Sequence, residues 1–357
     1  MVLDSAFIVR LLYIIITAMG ISCIVTPFVK WMARKVGAMD IPKDKRRMHN
    51  KPIPRMGGLG IFLGFLVSFL IFGEVNREVG GILIGATIIV LLGIVDDIKT
   101  LRALPKFFVQ IVAAVAVVAH GCRIENVLGW ELPLWLSYSA TVIWIVMLTN
   151  AVNFIDGLDG LAAGVSAISA GSMLMVALIL VPEPNATLSA LVLAAILGGC
   201  MGFIPYNFNP ASIFMGDTGS TFLGFMLASV SVFGLFKTYA MISFAVPFLV
   251  LGLPIFDICF AVIRRVAKGQ SPMHADRGHV HHRLIDMGFS QKQAVLVSYL
   301  ITVGLGICAV VMTDKGEIQA LIFLVALVLV GIVGLQLFFI KHHHKRLKEE
   351  NKNDEED

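Results

Sequence analysis

TVIWIVMLTNAVNFIDGLDGLAAGVSAISAGSMLMVALIL, residues 141–180, is the stretch on which the fold turns. Two apolar runs flank an octapeptide, NFIDGLDG at 153–160, that carries one Asn and two Asp. Crossing ~30 Å of hydrocarbon takes a helix of about 20 residues, and each run approaches or reaches that length. Neither run alternates apolar with polar residues, so barrel strands are excluded. An amide and two carboxylates are costly in hydrocarbon, so the octapeptide belongs at a membrane surface.

The same pattern repeats along the chain. Apolar stretches occur at about 7–28, 57–73, 79–95, 105–120, 133–150, 160–181, 187–205, 218–236, 239–263, 291–312 and 318–340. Hydrophobic residues make up 57% of the 357 and charged residues only 15%, against roughly 25% in soluble domains. The reading is an all-α polytopic membrane protein of about eleven spans. Residues 1–340 form one multi-span domain and 341–357 a charged tail; no part is large enough to be a separate soluble domain. The first span is too long for a signal-peptide core and no small-residue cleavage pattern follows it, so it reads as an uncleaved helix. Five cysteines, four of them inside spans, give neither a disulfide framework nor a zinc pattern.

Lys and Arg set the expected orientation. The 29–56 loop carries nine of them, from Lys30 to Arg55; the 264–290 loop and the tail from 341 add more. The alternate loops hold only Arg77, Arg123, Lys237 and Lys315. The positive-inside rule then puts the N-terminus outside and the C-terminus in the cytoplasm. The net charge of +4 follows from that bias and implies no nucleic-acid partner. Four chemically loaded segments share the basic side: DDIKT at 96–100, NFIDGLDG, NFNPASIFMGD at 207–217 and HADRGHVHH at 274–282. The orientation came from Lys and Arg, whereas these segments are mostly Asp, Asn and His. Their agreement predicts one active site facing the cytoplasm.

Each segment also has a plainer reading. Asp96 and Asp97 end a helical run, where negative charge opposes the helix dipole; as a solvated loop start they would need only Lys99 as counter-ion. Asp159 could N-cap the following span, which leaves Asp156 and Asn153 unexplained. Gly157 and Gly160 permit close approach of a ligand to the backbone. Asp217 could cap the run that follows it. Oxygen ligands from several loops suit Mg²⁺, which takes one or two protein ligands together with phosphate and water. His279, His281 and His282, with Arg277 beside them, suit phosphate oxygens; zinc is the rival, but HExxH and nearby Cys are lacking. Acids, Mg²⁺ and basic donors at a membrane surface amount to phosphoryl transfer between a soluble donor and a lipid acceptor.

The motifs HNKPIPRMGG, LGIVDDIKT, NAVNFIDGLDGLAAG, NPASIFMGDTGS and HADRGHVHHR, in this order over about residues 45–285, resemble the polyprenyl-phosphate N-acetylhexosamine-1-phosphate transferase family. The His-x-His-His form after Asp-Arg resembles the branch that uses UDP-N-acetylglucosamine, and within it the enzymes that initiate teichoic acid in Gram-positive bacteria. The resemblance implies transfer of a hexosamine 1-phosphate from the UDP-sugar to undecaprenyl phosphate, releasing UMP, in the bacterial cytoplasmic membrane. It implies Mg²⁺, with Mn²⁺ as an alternative, held by Asp217 and Asn153. Gly157, Leu158, Asp159, Asn207 and Phe214 match the uridine pocket, with Phe214 stacking on uracil and Asp156 beside them. Lys51 matches a substrate contact, and Arg277, His279, His281 and His282 the pyrophosphate or amino-sugar end. Asp96 and Asp97 match the acid pair near the lipid phosphate. A homodimer is allowed for as the assembly. Two rivals are weighed here. A CDP-alcohol phosphatidyltransferase would need Ala-Arg after Asp-Gly, where this chain has Leu-Asp. A transporter would carry its acids at mid-span, on several helices.

Overall fold

The computed structural model describes residues 4–42, 51–127, 130–181, 183–235, 242–267, 269, 279–315, 321 and 325. The chain begins with α1 (Ser5–Val36), followed by two short paired strands, β1 (Met39–Asp40) and β2 (Ile53–Pro54). Then come α2 (Gly58–Phe72), α3 (Arg77–Lys99) and α4 (Ala103–Ala119). A second small pair, β3 (Asn126–Val127) and β4 (Trp130–Glu131), precedes α5 (Leu134–Ile155), α6 (Leu161–Leu180) and α7 (Pro184–Asn207). The remaining helices are α8 (Gly216–Val230), α9 (Ile242–Val250), α10 (Gly252–Ala267), α11 (Val280–Asp286) and α12 (Gln291–Lys315). A π-turn at Ser231–Leu235 extends α8.

Six of these helices are long and apolar enough to cross a membrane, and α2 and α4 are shorter apolar helices. The described residues of the first ten apolar runs fall on helix, apart from run ends and Leu251. The run at 318–340 lies outside the described residues except for 321 and 325. The run at 239–263 is not one straight span but two helices that meet at Leu251. Gly252 weakens helix at that point, and Pro254 has no N–H to donate, which the first turn of a new helix tolerates.

Local sequence explains the helix ends. Asp4 accepts a hydrogen bond from the Ala6 amide at the start of α1, and Asn76 accepts from Val79 at the start of α3, both ordinary N-caps. Helix α1 shows how a face is chosen. Leu11, Ile14, Ala18, Ser22, Thr26, Val29 and Ala33 are buried at spacings of three and four, while Leu12, Ile16, Ile24 and Phe28 are exposed. Such an apolar exposed face suits lipid rather than water.

Helix α8 is the centre of the bundle. Every residue from Thr218 to Val230 is buried, as expected of a helix apolar on all sides. It packs against α3, α5, α2 and α6; α7 is buried between α1, α2 and α6, and α1 and α12 lie outside it on α2 and α6. Gly93 makes the α3–α8 approach possible, because a Cβ there would strike the Thr218 backbone. This contact brings the last turn of α3, with Asp96 and Asp97, against the first turn of α8.

Candidate active site

The C-terminal ends of α3, α5 and α7, the N-terminal ends of α6 and α8, and α11 meet around a cavity of about 460 Å³. Asp97, Asp156, Gly157, Leu158, Asp159, Asn207, Phe214, Asp217 and His282 line it. Three of the four predicted segments therefore converge, together with the described part of the fourth. Arg277 lies outside the described residues. Lys51 is exposed and is not part of the lining.

Asp97 is 1% exposed and engages the start of α8 with both oxygens. Oδ1 accepts from the Asp217 amide at 3.0 Å; Oδ2 accepts from the Thr218 amide at 3.1 Å and its hydroxyl at 2.6 Å. These are orphan donors of a helix N-terminus, and a carboxylate there is favoured by the dipole. Asp96 points elsewhere. Its Oδ1 accepts from the Leu101 amide at 2.6 Å, and its Oδ2 meets Lys106 Nζ at 2.9 Å. The same ammonium reaches Asp217 Oδ2 at 2.6 Å, so Lys106 joins the two carboxylates. Asn153 donates to Ser220 Oγ at 3.0 Å and sits beside Asp217.

The glycine-rich turn is fixed by neighbouring loops. Asp159 does not cap α6, whose N-cap is Gly160 without a side-chain bond. Its Oδ2 instead accepts from Asn209 Nδ2 at 3.0 Å and the Ala211 amide at 2.9 Å. Asn209 also donates to Gln291 at the head of α12. Asn207 spans the two loops, accepting from Gly160 N and donating to Ile213 O. Phe214 lies on the cavity wall between Pro54 and Gly57, held by backbone bonds to both. Gly157 is needed because a Cβ at that position would run into His281 Nε2. That nitrogen is buried with no hydrogen-bond partner.

The cavity crowds several carboxylates together. Burial pushes the Asp156 carboxyl up to about 8, and the charges of Asp217, Asp97 and Asp159 push in the same direction. Burial also lowers His281 to about 3, so that ring is neutral. Crowded carboxylates repel one another unless a cation lies among them. Asp217 and Asn153 offer oxygen donors of the kind Mg²⁺ takes alongside phosphate and water, so the residues present fit such an ion. A consequence can be measured in the metal-free protein. The folded-state value of Asp156 is above its unfolded one, so its contribution to stability is present at low pH and is lost as pH rises from about 4 through about 8. Asp156→Asn is therefore expected to flatten the fall of Tm between pH 6 and 8.5, and thermal unfolding of both proteins across that range checks it.

A second cavity, about 510 Å³, opens beside the first. Phe107, Ile111, Val142, Val146, Ile258 and Val262 give it apolar walls, and Lys106, Asn153, Asp217 and Arg265 give it a polar end. Asp217 borders both spaces. Lys106, Gln291 and Asp257 went unnoticed in the sequence reading, and Arg55 and Asn209 were given no role in the site. For Lys106 and Asp257 a signal existed: each is an isolated charge inside an apolar run, which in a membrane protein marks function. Arg55, which donates to the Asp97 carbonyl and to Thr100, had no such signal.

Membrane-length helices around a buried central helix, with an acid-lined cavity at one end, define an all-α polytopic membrane protein. Comparison with known proteins takes this further. The profile described as "Glycosyl transferase family 4" matches residues 79–235. The chain is 42% identical to the "Probable undecaprenyl-phosphate N-acetylglucosaminyl 1-phosphate transferase" of Bacillus subtilis, over 86% of this chain and 84% of that protein. It is 32% identical to the "Decaprenyl-phosphate N-acetylglucosaminephosphotransferase" of Mycolicibacterium smegmatis, over 90% and 86%. With the Escherichia coli K12 "Undecaprenyl-phosphate alpha-N-acetylglucosaminyl 1-phosphate transferase" the identity is 27%, over 90% of each. The chain belongs to glycosyl transferase family 4.

Proposed function

We propose that this chain transfers N-acetylglucosamine 1-phosphate from UDP-N-acetylglucosamine to undecaprenyl phosphate, giving undecaprenyl-diphospho-N-acetylglucosamine and UMP. One observation carries the reading: the Asp96–Lys106–Asp217 chain stands where a polar, acid-lined cavity meets an apolar groove. A water-soluble nucleotide sugar suits the first space and a prenyl chain the second, with its phosphate at the Lys106 and Arg265 end. The names of the relatives support the same pair of substrates.

In this mechanism an oxygen of the lipid phosphate attacks the phosphorus that bears the sugar. The bond from that phosphorus to the bridging oxygen breaks, and UMP leaves with the oxygen. Asp217 and Asn153 would hold Mg²⁺, or Mn²⁺ in its place; when bound, the ion neutralises charge on the pyrophosphate. Asp96 orients the acceptor phosphate through Lys106, which it holds at 2.9 Å and which lines the groove; that phosphate's second pKa of about 6 makes a strong base unnecessary. Lys106 counters the charge that gathers between the two substrates. Asp97 fixes the first turn of α8, and with it the backbone at Asp217. Phe214 offers its ring to uracil, and His282 a donor to the phosphates or the sugar.

The site lies at the cytoplasmic face of a bacterial cell membrane in this reading, supported by the Lys and Arg bias of the loops in the sequence. Its place is the first membrane step of a cell-wall glycopolymer; teichoic acid as that polymer rests on the sequence resemblance. The test is direct. Purified protein with UDP-N-acetylglucosamine, undecaprenyl phosphate and Mg²⁺ is expected to release UMP and form a lipid-linked sugar in equal amounts. Absence of both products with folded protein would overturn the reading.

A further inference from the structure

Asp257 lies within α10, one position before Ile258 of the groove wall, and is 2% exposed. Both its oxygens are committed to α11. Oδ2 is 2.7 Å from His279 Nδ1, and Oδ1 accepts from the Val280 amide at 2.7 Å. His279, itself 7% exposed, does not line the polar cavity. Its ring stacks parallel to His281 at 5.8 Å, and the His281 ring lies 4.3 Å from that of His282, which does line it. A buried carboxylate is expensive unless it is paired and hydrogen-bonded. Here the pairing reaches the cavity through a row of three rings.

We propose that Asp257 is a positioning residue: through His279 it clamps α11 to the groove helix α10 and so sets His282 against the bound nucleotide sugar. This rests on the function proposed above. The carboxylate fixes His279 in the form that carries a proton on Nδ1, and the ring cannot turn while that bond holds. Neither Asp257 nor His279 touches substrate. The competing explanation is that Asp257 only caps α11 through Val280. Asn caps a helix as well as Asp does, so Asp257→Asn keeps the cap and alters only the bond to His279.

The experiment measures kcat and KM for UDP-N-acetylglucosamine, together with Tm, on Asp257→Asn, His279→Ala, His282→Ala and each double variant with His282→Ala. Asp257→Asn is expected to raise KM on the order of 10-fold with a small change in kcat. The same substitution made in His282→Ala is expected to add nothing, since residues that act through one contact are not additive. Unchanged KM in Asp257→Asn, a loss confined to kcat and Tm, or full additivity with His282→Ala would each overturn the proposal. Should Asp257→Asn fail to fold, His279→Ala carries the same cycle with the same two outcomes. Wild-type protein that makes no UMP sinks the function; an active wild type with an additive cycle sinks only the clamp.

Discussion

Asp217→Asn is expected to stop turnover while leaving the protein folded. The structural bonds at this position are made by the backbone: its amide donates to Asp97, and its carbonyl accepts from the Thr221 hydroxyl. The side chain faces both cavities and bonds to Lys106. Asn keeps the shape but removes the anionic oxygen that would hold Mg²⁺, and it leaves Lys106 with Asp96 alone. Losing one such charge in a water-poor site costs ~3–4 kcal/mol of transition-state stabilisation, a rate loss on the order of 10²–10³-fold. UMP release followed across a Mg²⁺ titration, with Tm as the control for folding, measures it. Near-normal turnover at any Mg²⁺ concentration removes Asp217 from the metal site.

The second large effect separates two neighbours. Asp96→Asn is expected to lower the rate on the order of 10²-fold or more, the usual scale for a positioned acid or base, with little change in Tm. Asp97→Asn is expected to lower both. An amide in place of the Asp97 carboxylate leaves one of the Asp217 and Thr218 donors facing an NH₂ group. A buried donor left unsatisfied costs about 1–3 kcal/mol. Binding of UDP-N-acetylglucosamine should survive Asp96→Asn, because the cavity is lined by other residues. Turnover, nucleotide-sugar affinity and Tm on both single variants decide the matter; equal stability and equal activity in the two would erase the distinction.

How much of this was legible in the sequence depended on the kind of signal. Spans show in hydrophobic runs because hydrocarbon thickness dictates their length, and the ends of those runs located Asp97, Asp156, Asp159 and Asp217 around one cavity, with Asp96 beside it on Lys106. What a side chain does once there was not legible. Asp97 and Asp96 are adjacent in sequence, yet successive helix positions point about 100° apart; one turns into α8 and the other toward α4. Asp159 read equally well as an N-cap, and only the fold supplied Asn209 and Ala211 as its partners. The break at Leu251 hid inside a uniformly apolar run, although Gly252 and Pro254 were there to mark it. The sequence reading used charge to orient loops and passed over the charges inside spans. Lys106 and Asp257 were missed for that reason.

The position of Asp217 on the border of both cavities has a consequence for supply. In the proposed reaction one reactant arrives from a volume and the other from a sheet, so their abundances are counted in different dimensions. Enlarging the membrane at a fixed number of acceptor molecules thins the acceptor without diluting the donor, and swelling the cell interior does the reverse. An enzyme built on this border responds to the ratio of surface to interior in a way that one fed from a single compartment cannot.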